Sequence, residues 1–182
     1  RSDPNISTIK LVQNNSVALR LVILACAGLS LLVGLGAGAS LLGLNATPGA
    51  SFAADHGPLM VFGFVGEAIG LERAVAVRTT WAWVGPVCHV AGVLSILAGL
   101  PRGVAAMFFA AGFLVLGCIY ATIYRRQASL ASLVQAVGVI GGVAAAALWA
   151  MGPGFATAMP LCALYAVATI IGERMEFCLL YT

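Results

Sequence analysis

Asp55–Arg78, DHGPLMVFGFVGEAIGLERAVAVR, is the stretch on which the fold turns. It is helix-length and mostly apolar, yet it carries His56 at one end, Glu67 half-way along and Glu72-Arg73 at the other. A helix rises about 1.5 Å per residue, so about 20 residues cross a hydrocarbon core about 30 Å thick. The pattern therefore predicts a membrane-spanning helix over 55–77. An ionisable group at mid-span costs about 2.5–3.5 kcal/mol even on the cautious scales. Several in one span imply that they are paired or used.

The whole chain agrees with that class. Of 182 residues, 62% are hydrophobic and 8% charged, and the mean hydropathy is +1.05. A soluble domain is about one-quarter charged, so this inventory cannot cover a water-facing surface. The fold class is an all-α, polytopic transmembrane bundle whose first partner is the lipid bilayer. The net charge of +3 reflects arginines at helix ends and implies no nucleic-acid partner. Five cysteines (26, 88, 118, 162 and 178) fall singly in apolar runs, without the spacing of a disulfide framework or thiolate zinc site. They read as buried small hydrophobes.

Outward from the central stretch, residues 1–16 form a polar N-terminal tail and 17–182 a six-helix transmembrane domain. The other spans fall at about 17–44, 81–100, 104–124, 129–151 and 155–177. The first is too long an apolar run for the core of a signal peptide. Trp81, Trp83, Tyr124 and Trp149 read as an interfacial belt, and Phe62, Phe64, Phe108 and Phe109 as lipid- or core-facing. Arg1, Lys10, Arg20, Arg73, Arg78, Arg125, Arg126 and Arg174 gather on alternate connections, while 45–54 and 152–154 carry no basic residue. The positive-inside rule then places both termini in the cytoplasm, with Arg102 dissenting.

Candidate site residues follow from depth. Reflecting the 2–3 hairpin about residue 78 sets Glu67 level with His89, about 14–17 Å from the cytoplasmic edge. A carboxyl and an imidazole at one depth can share a proton, and are predicted as an intramembrane pair. The alternative for His89 is a buried hydrogen bond to a carbonyl. Asp55 falls level with Arg102. Ile69-Gly-Leu-Glu-Arg73 and Ile171-Gly-Glu-Arg174 echo one another, so Glu72 with Arg174 and Glu173 with Arg73 are candidate ion pairs or simple membrane-boundary markers. His56, Met60, Gly63 and Glu67 share a helical stripe. An imidazole beside a thioether suits a haem axial position or copper, so His56 and Met60 are the candidate cofactor ligands and His56 the metal ligand. The competing reading of His56 is a residue hydrogen-bonded at the helix start. His56 and His89 differ in depth by about 16 Å, too far to clamp one iron. No phosphate loop, HExxH or serine elbow occurs, so no catalytic residue is assigned.

His56–Phe64 (HGPLMVFGF), with Leu71–Ala76 (LERAVA) and Gly172–Arg174 (GER), resembles uncharacterised bacterial multi-span proteins. More distantly, the His…Met-x-Phe-Gly-Phe stretch is similar to the NnrS family of haem- and copper-containing membrane proteins linked to nitric oxide tolerance. The resemblance implies a bacterial inner-membrane location, respiratory or nitric-oxide-related physiology, and a haem or copper ligand at His56. Such families have about twice as many spans and further histidines, so this chain looks like half of one or a truncated piece, and a homodimer would restore the count.

Two other functions fit the same residues. One is a non-catalytic accessory subunit packed against other membrane subunits through the glycine pairs 34/38, 66/70 and 138/142. The other is a proton or small-solute transporter using Glu67 and His89.

Overall fold

A computed structural model of the chain describes residues 4–44, 49–152 and 154–180. These form six main helices, with no strand among them. Helix α1 is Pro4–Leu41, α2 covers 56–77, α3 is Val84–Leu97, α4 is Arg102–Arg126, α5 is Leu130–Met151 and α6 is Met159–Leu180. Short 3₁₀ segments lead into three of them, at Ala50–Asp55, Thr80–Trp83 and Phe155–Ala158.

The connections have local causes. Ser129 caps α5, its Oγ accepting from the Ser132 amide at 3.2 Å. The α2–α3 hairpin turns at Arg78, and Gly99 (φ 69°) with Pro101 separates α3 from α4. The polar N-terminal segment differs from the expected tail, because its backbone is helical from Pro4 onward. After Pro4, tolerated in a first helical turn, neither proline nor glycine occurs before Gly28 to stop the helix. Residues 1–3 and 181–182 lie outside the described residues, as do 45–48 and 153 of the two arginine-free connections.

Among the described residues, five segments are long and apolar enough to cross a membrane: Val17–Leu41, Thr80–Leu97, Arg102–Arg126, Leu130–Met151 and Phe155–Glu176. Helix α2 differs from these. Between α-helical His56–Pro58 and Glu67–Val77 it is wound as a π-helix over Leu59–Gly66. Such wide winding is rare, usually a single turn, and concentrates at functional sites.

Each helix packs against its neighbour in sequence, and α2 is also covered by α4. Short connections impose this up-and-down order. Phe62 of α2 centres the core, its ring 5.4 Å from Phe109, 5.7 Å from Phe113, 6.0 Å from Trp149 and 5.5 Å from Phe155. Trp149 therefore belongs to the core and not to the interfacial belt, with the Arg102 guanidinium 5.9 Å over its ring. Phe108 faces outward, and only Cys162 of the five cysteines is fully buried. Leu32 and Ile140 are each 68% exposed, whereas Glu67, His89 and Gln135 are wholly buried. That inversion is what a hydrocarbon solvent selects, since polar groups must then be housed inside.

The paired glycines serve contacts within the chain. Gly66 meets His89 of α3, Gly138 meets Ala168 and the Tyr165 carbonyl of α6, and Gly142 meets Phe113 of α4.

Candidate functional site

The π-wound stretch of α2 lies against α1 along one seam. Going inward from the α2 N-terminus, His56 sits on Gly38, Met60 on Gly34 and Gly63 on Ser30. The α1 partners recur every fourth residue, so they form one stripe of a straight helix. A Cβ added at Gly38 would come within 2.7 Å of His56 Cε1, and one at Gly34 within 2.9 Å of Met60 Sδ. The two glycines are thus the sockets for the two candidate ligand side chains. Ser30 Oγ donates to the Leu59 carbonyl at 2.8 Å, tying α1 to the start of the π stretch.

His56 Nδ1 donates to the Gly34 carbonyl at 2.7 Å. A carbonyl only accepts, so Nδ1 carries the hydrogen and in the neutral ring Nε2 carries the lone pair. Metal-bound imidazoles are oriented by the same kind of second bond. His56 is half-buried, between seam and surface.

Glu67 and His89 are both fully buried, and no hydrogen bond joins them. Their level agrees with the reflected hairpin, since His89 Nε2 lies against Gly66, where an added Cβ would stand 2.8 Å away. Their directions differ. Position 66 faces α3, while position 67 lies about 100° further round the helix. His89 Nδ1 donates to the Gly85 carbonyl at 3.1 Å, and the ring is wedged against Gly112 and edge-on to Phe113 at 4.9 Å. Among the described residues no protein group hydrogen-bonds either Glu67 carboxyl oxygen, His89 Nε2 or the buried hydroxyls of Tyr120 and Tyr165. Buried polar atoms are normally satisfied, so the bundle interior holds unused hydrogen-bonding capacity.

At the far end of α2, Arg73 ties three helices together. Its guanidinium reaches Glu176 Oε2 at 2.9 Å and Glu173 Oε1 at 3.4 Å on α6, and lies 5.6 Å over the Tyr120 ring of α4. Gln135 of α5 completes the group in the amide orientation its neighbours require. Its oxygen accepts from Arg73 Nη2 at 3.1 Å and from the Glu173 amide at 3.3 Å, and its nitrogen donates to Glu176 Oε1 at 3.1 Å. The other two expected pairs do not form. Glu72 and Arg174 are exposed with no ion pair between them. Arg102 instead donates to the Gly152 carbonyl at 3.1 Å, and its charge only partly offsets the burial that pushes the Asp55 carboxyl up.

Residues 20–181 match the family described as a domain of unknown function, DUF8744. The chain belongs to that family. Neither the curated proteins nor the solved structures include a match to it. Among the described residues of this DUF8744 chain, no group of three or more His, Cys, Asp or Glu side chains is placed to hold a metal ion. His56 and Met60 therefore offer two donors and no closed cage.

Several residues of these sites went unread in the sequence, although signals existed. Cys26 and Ser30 continue the Gly34/Gly38 spacing of four along one helix face. Glu176 follows the expected Glu173 by three residues and so faces the same partner. Gln135 is the lone carboxamide in the apolar run 130–151. Tyr120 and Tyr165 gave no signal beyond being aromatic.

Proposed function

We propose that this chain is a six-span protein of a bacterial inner membrane, both termini cytoplasmic, that binds copper at the outer end of the α1–α2 seam through His56 and Met60. The supporting observation is the His56 Nδ1 bond to the Gly34 carbonyl, which leaves Nε2 as a ligand-ready lone pair on a ring held in place. An imidazole and a thioether are soft donors suited to copper(I). Haem, the other candidate, would draw on His56 as a single axial ligand. Bound copper supplies one-electron chemistry. The chain's own residues fix the imidazole tautomer, seat both side chains on α1 and present them at the outer face. Respiratory or nitric-oxide-related physiology is the setting that the sequence resemblance suggests.

Metal analysis and an absorption spectrum of the detergent-purified protein test this. Copper in amounts matching the protein, lost in His56→Ala and weakened in Met60→Leu, is the expected result. A Soret band would transfer the site to haem. Wild-type protein with neither copper nor a Soret band refutes both.

A second reading, a proton or small-solute carrier, is favoured by the unpartnered Glu67 oxygens and His89 Nε2 inside the bundle. Ion flux into liposomes lost in Glu67→Gln would support it, and unchanged flux would remove it. The accessory-subunit reading no longer draws on the paired glycines, which meet neighbours in the same chain, and co-purification with a stable partner would favour it.

A further inference from the structure

Away from the seam, a cavity of about 620 Å³ opens where the C-terminal turn of α2 and the Thr80–Trp83 turn meet α1. Arg20 and Arg78, from different elements, line it together with Thr79, Thr80 and Trp83, and no acidic side chain does. Among the described residues neither guanidinium has a carboxylate partner, the ion pairs being those of Arg73. Arg20 is steadied by the Trp83 ring, its Cζ 5.9 Å from the centroid. Thr79 stands immediately before a helical run, yet its side chain makes no capping bond, and its Oγ1 is buried without a partner. Arg78 adds a conformational argument. Among the described residues it is the non-glycine residue with positive φ (56°), a left-handed position that costs an L-residue about 1 kcal/mol or more. Glycine or asparagine would serve the turn more cheaply, so the guanidinium is what justifies arginine there.

We propose that this cavity binds a phosphate group, with Arg20 and Arg78 as its charged donors. Two guanidiniums with no counter-charge among the described residues and an indole at the membrane edge match the headgroup of an anionic phospholipid. A soluble phosphate offers the same chemistry. Arginine forks recognise phosphate oxygens in pairs, and basic residues beside a membrane-crossing helix attract anionic headgroups.

The test is thermal stability of the full chain in detergent, titrated separately with short-chain phosphatidylglycerol, short-chain phosphatidylcholine and inorganic phosphate, in wild type and in Arg20→Gln, Arg78→Gln and Arg78→Gly. Arg78→Gly relieves the left-handed strain, so it folds at least as well as wild type while losing one donor. The expected result is a wild-type rise with phosphatidylglycerol that exceeds that with phosphatidylcholine, and an affinity about ten- to hundredfold weaker in each variant, the effect of removing a charge-assisted contact. A matching rise with inorganic phosphate alone, equally lost in the variants, assigns the same site to a soluble anion. No rise in wild type with any probe, or equal rises in wild type and Arg78→Gly, overturns the proposal.

Discussion

Replacing Arg73 with methionine keeps a long side chain across the α2–α4–α6 junction and removes the charge. The two carboxylates and the Gln135 amide that converge on it would then be left without their common donor. Breaking a buried pair by deleting one partner costs about 3–5 kcal/mol. The Arg73 side chain is 9% exposed, but those of Glu173 and Glu176 are 27% and 30% exposed. The stranded acids thus retain some access to water, which puts the loss near the lower end, about 3 kcal/mol. For a chain of this size each kcal/mol moves the melting temperature by about 2–4 °C, so the expected fall is about 6–12 °C in thermal unfolding of the detergent-purified protein. The triple change Arg73→Met, Glu173→Gln, Glu176→Gln removes the uncompensated charges too, and should recover half or more of that loss. A single variant within about 2 °C of wild type, or a triple variant no better than the single, would show that this cluster does not clamp the helices.

Three further outcomes are expected. Gly38→Ala should destabilise by about 1–3 kcal/mol through overlap with the His56 ring and weaken any metal bound there. Gly28→Ala, which meets open space, should be neutral or stabilising by about 0.5–1 kcal/mol; equal melting temperatures for the two variants would contradict the socket. Burial raises the Asp55 carboxyl above its ordinary value, so its contribution to stability is fully present below the unfolded-chain value and lost as pH rises through the folded one. Asp55→Asn should therefore match wild type at low pH and gain on it as pH rises, whereas a partner in a strong ion pair with Arg102 would give the opposite trend. Glu67→Gln removes no hydrogen bond and should leave the melting temperature unchanged, so a large drop would reveal a partner for the carboxyl.

The class of molecule and the helix positions were legible in the sequence, because hydropathy adds residue by residue. Height along a helix grows about 1.5 Å at a time, which is why the reflected hairpin put His89 within one residue of the α2 position it meets, Gly66. What each side chain meets was decided only by the tertiary structure. Direction turns by about 100° per residue, and the π winding of 59–66 shifts the phase within α2, so His89 met Gly66 and made no bond to Glu67. The same limit explains why Arg73 gained Glu176 and Gln135 beyond the expected Glu173, and why Arg102 bonded a carbonyl instead of Asp55. Glycines betray close approach by their spacing, but only packed helices decide which side chain fills the room they leave.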